Sequence, residues 1–451
     1  MSNKYPALAW YRLWRIERRE LIHFGVASTA LVLGIFSHFT EHSAWWTLAA
    51  VALVVVTETI LLWREYLALA EPGDKKLVVV NVFDELKPEL AVAKFPPSYE
   101  YAEPIEGGAV VRSEAFDRWI IKEQPDIPLH IRKAGFEEGI LSDTDPYLHE
   151  AFDYLVARLH STVGKHFYNE SKVSLRTELK EGVKSVIVGK TSYIASSLTN
   201  DACTNRLVRQ GRIYADLTVL YPKVQKGERT ELLGLADSRL SNHLGASTIA
   251  LFQQEDGVCM VSLPIQGNSA ARSSGKLAPT GSGSLDWLDV RMSPKKDLLS
   301  IVARGATREL CEEQGLIPLG NGGKKLDYVI NKHSVRTMVM GYYRWLNYGA
   351  LPQFCCISTI RVESIYDLKP DKRELAAHDS SSGLTQVRRS ISSINELGLF
   401  CEDMLRDRTH LSLPLAVNLD LIHKALTRKL GDECYASVIN FIRRQIPEID
   451  E

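Results

Sequence analysis

A cluster of acidic side chains in residues 308–316, with the sequence RELCEEQGL, constrains the fold more than any other feature of this chain. On an α-helix, Glu309, Glu312 and Glu313 lie at positions i, i+3 and i+4, so the three carboxylates share one face. Like charges at this spacing destabilise a helix by roughly 0.2–0.5 kcal/mol per pair. A divalent cation such as Mg²⁺, which binds oxygen ligands, would offset that repulsion. The pattern therefore predicts a helix whose acidic face binds a metal ion; the alternative is an acidic face exposed to water.

The residues around this cluster predict the limits of the helix and its packing. Ser293 followed by Pro294 is typical of a helix start, and Gly315 is typical of a helix end. An apolar stripe lies on the face opposite the carboxylates: Leu298, Val302, Ala306 and Leu310. We therefore expect a helix within residues 294–316 that packs by this stripe against a core.

Strand patterns precede and follow the predicted helix. Residues 245–252 form an apolar run, Asp256–Gly257 is a hairpin turn signal, and residues 258–261 form the returning strand. Residues 354–362 form a second buried run. The mixture of strands and helices predicts an α/β domain.

The run at residues 308–316 resembles the second half of the Nudix box, the metal-binding loop-helix of nucleoside-diphosphate hydrolases. The complete box opens with a glycine and then a glutamate, and these positions are Pro294 and Ser300 here. In the family the missing glutamate braces the arginine that corresponds to Arg308. Its absence is expected to weaken catalysis more than metal binding.

This resemblance implies an α/β/α sandwich of the Nudix type over residues 241–440, with the box at 294–316. It implies that Glu312 and Glu313 ligate Mg²⁺ and that Glu309 also lies in the metal site. Glu309 is the catalytic candidate if the protein is hydrolytic.

Five side chains are candidates for binding a phosphorylated ligand. Arg272, Lys276 and Arg291 flank the box and carry the positive charge that phosphate groups require. Tyr343 and Arg344 lie in an aromatic-rich segment, and such side chains stack on bases and contact phosphates. Aromatic side chains in a strand more commonly pack in a core, so both interpretations stay open.

Two apolar segments lie near the start of the chain. Residues 21–39 contain no Lys, Arg, Asp or Glu, and Glu58 is the one such residue in the segment 44–63. At about 1.5 Å per residue, each can span a hydrocarbon core of about 30 Å. The pattern predicts a two-helix transmembrane hairpin over residues 21–63, preceded by an amphipathic collar at residues 1–20. The alternative is a buried helical hairpin in a protein without spans.

The charge pattern predicts an orientation for this hairpin. Five basic residues precede the first span and none lies between the spans: Lys4, Arg12, Arg15, Arg18 and Arg19. The positive-inside rule therefore places both termini in the cytoplasm. Residues 64–240 would be a connecting cytosolic region. Its stretch 84–108, which is rich in Pro and Glu, is predicted to be a linker or an extended segment wrapped on the body.

Composition excludes several classes of function. The formal net charge is −1, which predicts no binding of a nucleic acid polymer. The seven cysteines include no C-x-x-C pair, which predicts neither disulfides nor a zinc site.

The predicted order, two spans and then a cytosolic domain with a partial Nudix box, resembles the two-transmembrane–Nudix effectors of bacterial CBASS anti-phage systems. The resemblance implies a location in the bacterial inner membrane. It also implies a cyclic oligonucleotide ligand made by a partner nucleotidyltransferase. Ligand binding would drive homo-oligomerisation of the hairpins among membrane lipids and arrest or kill the infected cell. The alternatives are a membrane-tethered, Mg²⁺-dependent nucleoside-diphosphate hydrolase and a receptor scaffold.

Overall fold

The structure is a computed structural model that describes residues 77–96, 99–132, 145–161, 170–266, 275–318, 323–368, 386–444 and 446. The chain divides into two compact units. The first unit comprises Met1–Asn81, Leu141–Asn169 and Asn205–Val219. The second unit comprises Val82–Ile140, Glu170–Thr204 and Leu220–Glu451.

The described residues form sixteen strands and ten α-helices. The strands are β1 (Val78–Asn81), β2 (Glu100–Ile105), β3 (Gly108–Arg112), β4 (Leu129–Ile131), β5 (Ser171–Leu175), β6 (Val186–Ser192), β7 (Asn205–Arg209), β8 (Arg212–Asp216), β9 (Lys223–Lys226), β10 (Arg229–Leu232), β11 (Gly245–Gln254), β12 (Cys259–Pro264), β13 (Gly281–Ser284), β14 (Arg336–Trp345), β15 (Leu351–Val362) and β16 (Gln386–Ser390). The helices are α1 (Phe83–Ala91), α2 (Glu114–Glu123), α3 (Leu148–Ser161), α4 (Tyr193–Leu198), α5 (Trp287–Met292), α6 (Leu298–Glu313), α7 (Lys324–Lys332), α8 (Ile394–Arg406), α9 (Leu413–Leu426) and α10 (Asp432–Arg443).

The predicted fold class, a transmembrane hairpin followed by a cytosolic domain, is contradicted. Over the described ranges, no helix combines the length and apolar character that crossing a membrane requires. The longest of them, α6, has 16 residues, so it extends about 24 Å, short of the hydrocarbon core. What is described is a mixed α/β fold with several sheets.

The predicted inner-membrane location, with both termini in the cytoplasm, rested on the same two spans and is corrected with them. The collar at residues 1–20 and the segments 21–39 and 44–63, including Glu58, lie outside the described residues.

The second unit is built on a large sheet with the strand order β16-β12-β11-β15-β14-β3-β2, and β13 pairs with β11. The whole of β11 pairs in parallel with residues 353–362 of β15, and the other pairs in this sheet are antiparallel. All ten residues of β11 are buried, as expected for a strand that is covered on both faces.

Helices cover both faces of this sheet. Ile249 and Leu251 of β11 belong to a core with residues of α8, α9 and α10. Ala250 and Phe252 belong to a second core with residues of α6 and α7. Alternate residues of a strand point to opposite faces, so β11 contributes to both cores.

The structure confirms several strands predicted from the sequence, but it does not confirm the linker predicted at residues 84–108. The strand predicted at residues 245–252 is confirmed as part of β11, and the buried run at 354–362 as part of β15. The Asp256–Gly257 turn is confirmed by the φ of +85° at Gly257. Most of the stretch 84–108, however, forms α1 and β2, and β2 pairs with β3 at the edge of the large sheet.

The first unit contains a three-stranded antiparallel sheet, β1-β7-β8, and helix α3. The hydroxyl of Tyr214 in β8 donates to Asp153 Oδ2 in α3 at 2.9 Å. The guanidinium of Arg209 lies 4.5 Å from the centre of the Tyr214 ring.

Candidate functional site

Helix α6 carries the acidic cluster, and its start differs from the prediction. Asp297 is the N-cap, and its side chain accepts a hydrogen bond from the Ser300 N–H at 3.0 Å. Ser293 instead follows the last residue of α5, so the predicted start at Ser293 and Pro294 is wrong. Asp and Ser are about equally favoured as N-caps, so the local sequence alone does not distinguish the two starts. The predicted end is confirmed, because Gly315 adopts a φ of +72°.

Two glycines allow strand β13 to lie directly against this helix. A Cβ atom added to Gly281 would be 2.5 Å from the Cα atom of Leu310. A Cβ atom added to Gly283 would be 2.2 Å from the carboxylate carbon of Glu309. The glycine-rich segment before the box therefore serves a close approach between strand and helix.

Arg308 lies at the centre of four carboxylates, which we call the acidic centre: Asp286, Asp289, Glu309 and Glu312. Its Nη1 atom is 3.0 Å from Glu312 Oε2, and its Nη2 atom is 3.0 Å from Glu309 Oε1. Nη2 also lies 3.2 Å from Asp289 Oδ2 and 3.4 Å from Asp286 Oδ2. The side chain of Arg308 is buried, with an exposed fraction of 4%. Burial strengthens these contacts and makes any unpaired charge among them costly.

Helix α5 supplies two of the four carboxylates. Asp286 is its N-cap, and the Asp286 N–H donates to Asp289 Oδ2 at 2.9 Å. Asp289 also accepts from Arg308 and is fully buried. Asp289 therefore gives Arg308 the brace that the sequence lacks at Ser300. The spacing of the two aspartates is a helix-start signal in the sequence, but nothing in it indicates the contact with Arg308.

Strand β5 contributes a second cation to this region. The Lys172 ammonium donates to Asp286 Oδ1 at 2.5 Å and to Glu170 Oε2 at 2.9 Å. Lys172 is buried, with an exposed fraction of 8%. Lys172 was not predicted from the sequence, because β5 lies far from the box along the chain.

Carboxylates outnumber bases in this region. Glu170 and the acidic centre supply five, against the two bases Lys172 and Arg308. Burial, with the nearby aspartates, raises the pKa of Glu309 above its ordinary value, and burial raises the pKa of Asp289. Burial acts to lower the pKa of Arg308, but the surrounding carboxylates outweigh it and raise that pKa.

The three carboxylates predicted to bind Mg²⁺ are turned toward protein donors. Glu309 and Glu312 contact Arg308, and Glu313 Oε1 accepts from the Ser282 N–H at 3.0 Å. Within the described part of the chain, no three His, Cys, Asp or Glu side chains are arranged to hold a metal ion. The oxygen donors suit Mg²⁺ chemically, but their arrangement does not fit an assembled Mg²⁺ site.

Two of the predicted ligand-binding residues are buried in β14. Arg344 is fully buried, and its Nη1 atom donates to Glu178 Oε1 at 2.7 Å. Its Nε atom donates to the Ala350 carbonyl at 3.1 Å. Tyr343 is fully buried within the core formed with α8, α9 and α10. A ligand would reach neither side chain without local opening, so their role in binding stays a prediction.

The other three predicted ligand-binding residues occupy separate positions. Lys276 is partly buried, and its carbonyl accepts from the Gln266 N–H at 2.9 Å. Arg291 is exposed in the last turn of α5. Arg272 lies outside the described residues.

Comparisons with known proteins give little further information. No protein-family model matches the chain, and no curated protein matches it. Among solved structures, the chain is similar to a Nudix hydrolase from Alicyclobacillus acidocaldarius. The two share 13% identity over 44% of this chain and 95% of that chain, with a TM-score of 0.27. A similarity at this TM-score carries no argument about fold or activity.

Proposed function

We propose that the second unit is a nucleotide sensor that binds its ligand without hydrolysing it. The ligand proposed is a cyclic oligonucleotide made by a partner nucleotidyltransferase, and its binding promotes assembly of several copies of the chain. The output proposed is arrest of an infected cell. The ligand and the output come from the predicted order of two spans followed by a domain with a partial Nudix box, which resembles defence effectors. Because the described residues include no helix that could span a membrane, no membrane step is part of the proposal.

One observation supports binding over turnover: Arg308 contacts Glu309 and Glu312, two of the three carboxylates that a hydrolase of this type would turn toward a metal. Hydrolysis of a phosphate ester with metal assistance requires the ion to stabilise charge and to generate hydroxide. A guanidinium stays charged at any physiological pH, so Glu309 and Glu312 keep their partner. Carboxylates held in this way are not available to organise a catalytic ion.

Assembly on binding sets a requirement on affinity. Shifting a population from about 1% to about 99% assembled requires a ligand that binds the assembled state roughly 10⁴-fold more tightly. The assembled form should therefore retain the ligand strongly, and the separate chain should bind it weakly.

The proposal is tested with the full chain and a panel of cyclic dinucleotides and trinucleotides. We expect one of them to bind in calorimetry, to increase the sedimentation coefficient, and to be recovered intact by chromatography after incubation with Mg²⁺. Absence of binding by every compound, or recovery of cleaved products, would contradict the proposal.

A Mg²⁺-dependent nucleoside-diphosphate hydrolase is the second candidate, and the contact between Asp289 and Arg308 favours it. That contact supplies the brace absent at Ser300, so the box arginine is held in place. On this account the chain releases a nucleoside monophosphate from nucleoside diphosphate derivatives when Mg²⁺ is added, and Glu313→Gln abolishes the release. If the unaltered chain shows no release, the second candidate is excluded.

A further inference from the structure

Lys172 is a buried cation that reaches the acidic centre from outside the box. Its ammonium bridges Asp286 and Glu170, at 2.5 Å and 2.9 Å. It also interacts electrostatically with Glu309. A buried ammonium is stable only when it is paired with acceptors, and Lys172 has two carboxylates.

The backbone around Lys172 fixes this position. The Val173 N–H donates to the Leu285 carbonyl at 3.1 Å, and the Leu244 N–H donates to the Val173 carbonyl at 2.7 Å. The Leu285 N–H donates in turn to the Leu244 carbonyl at 2.9 Å. These bonds tie β5 to the segment that leads into α5, so Lys172 and Asp286 are held opposite each other. The contact is therefore built into the fold.

A lysine ammonium is a compact point charge, and in this respect it resembles a hard metal cation more than a guanidinium does. Lys172 and Arg308 together supply the positive charge that the surrounding carboxylates need. We propose that Lys172 is an internal counter-ion that keeps the acidic centre free of divalent cations. This inference rests on the proposed function, in which the carboxylates stay engaged within the protein.

Replacing Lys172 by a neutral residue leaves Asp286 and Glu170 without their shared cation. A divalent cation that binds oxygen ligands is then the natural replacement. Mn²⁺ serves as the probe, because its electron paramagnetic resonance signal distinguishes free from protein-bound ion. The experiment titrates Mn²⁺ into the full chain, with no nucleotide present.

We expect the unaltered chain and Lys172→Arg, which keeps the charge, to bind no Mn²⁺ at micromolar concentrations. Lys172→Met should bind one Mn²⁺ at least about tenfold more tightly than the unaltered chain, because the centre gains one negative charge. Lys295→Met is the matched control: Lys295 is exposed and pairs with Asp126 at 3.1 Å, and neither residue belongs to the acidic centre. This control should behave as the unaltered chain.

Tight binding of Mn²⁺ by the unaltered chain would overturn the inference, whatever the variants do. A folded Lys172→Met chain that binds no Mn²⁺ would also overturn it, since Lys172 would then be a structural residue only. If circular dichroism shows that Lys172→Met does not fold, Lys172→Gln is used in its place. Binding of Mn²⁺ by the folded variant would then support the inference, and no binding would overturn it. None of these results depends on nucleotide binding or cleavage, so failure here is distinguishable from failure of the proposed function.

Discussion

Two arginines of the second unit sit in buried charge clusters, and the clusters differ in their balance. Arg112 contacts Asp117 at 3.2 Å and Asp420 at 2.8 Å, and Lys424 contacts Asp420 at 2.9 Å. This cluster has two carboxylates and two bases. Among the described contacts, the cluster around Arg308 and Lys172 joins these two bases to five carboxylates, of which Glu170 is about half exposed. In a balanced cluster every charge has a partner of opposite sign, whereas a surplus of one sign is costly and is the pattern expected of a candidate functional site.

The balanced cluster around Arg112 connects strands of the large sheet to helices that pack on it. Asp117 of α2 is fully buried and accepts from the Tyr342 N–H of β14 at 2.9 Å. Arg112 of β3 joins Asp117 to Asp420 of α9. The acceptors of this cluster are thus used in holding the large sheet to its helices, and no surplus charge remains for a ligand.

The largest effect is expected from removing either central arginine. Arg308→Met and Arg112→Met should each lower the free energy of unfolding by about 3–5 kcal/mol, because each leaves buried carboxylates without a partner. The comparison is sharpened by Mg²⁺, which should restore part of the stability of Arg308→Met and none of that of Arg112→Met. Urea denaturation at pH 7 with and without Mg²⁺ measures both. Equal responses to Mg²⁺ would show that the charge surplus has no consequence.

Asp117 is expected to change the free energy of unfolding by roughly 3 kcal/mol between about pH 4 and about pH 6. Burial raises the pKa of Asp117 from 3.8 to about 6, and Arg112 only partly opposes this. The folded state therefore holds the proton more tightly than the unfolded state, so this contribution to stability falls as the pH rises from about 4 to about 6. Asp117→Asn should remove this fall in stability with rising pH. The urea denaturation midpoint is measured between pH 4 and pH 7 for both chains. If it depends on pH in the variant as it does in the unaltered chain, Asp117 is not the group responsible.

A smaller effect is expected from Gly283→Ala, which tests how closely β13 approaches the acidic centre. The added Cβ atom would overlap the Glu309 carboxylate, so we expect a loss of about 1–3 kcal/mol. Gly323→Ala is the control, since its Cβ atom would have no neighbour within 4 Å. Thermal denaturation compares the two variants. A Gly283→Ala chain as stable as the control would mean that the carboxylate can move aside freely.

The smallest effect on stability is expected from Arg291→Ala. Arg291 is exposed, so the substitution should change the free energy of unfolding by less than about 0.5 kcal/mol. If Arg291 contacts a ligand phosphate, as the sequence predicts, the same change should weaken binding by about tenfold, the effect of losing about 1.4 kcal/mol. Calorimetry with the ligand found in the panel decides this. Unchanged affinity would remove Arg291 from the site.

Local patterns in the sequence predicted the local structure of this region well. The spacing of Arg308 and Glu312 at i and i+4 places them in contact, and the stripe that ends at Leu310 is buried. The start of the helix was misplaced because Asp297 caps it instead of Ser293. Both outcomes follow from interactions within a few residues.

The partners that arrive from other elements could not be predicted. Lys172 meets the box from β5, which is remote in sequence, and Asp289 meets it from α5, the helix that precedes α6; neither periodicity nor spacing predicts these contacts. The charge surplus at the acidic centre is a property of the assembled fold. The predicted transmembrane hairpin rested on apolar length and on the charges that flank it, and the described residues include no helix that could span a membrane.

The most direct test of the account is the fate of a bound nucleotide in the presence of Mg²⁺. Because Arg308 and Lys172 keep the carboxylates of the acidic centre engaged, the full chain should bind its cyclic oligonucleotide and leave it uncut. Phosphorus nuclear magnetic resonance over many hours measures this. Appearance of cleaved phosphates that requires Mg²⁺ and disappears in Glu313→Gln would contradict it.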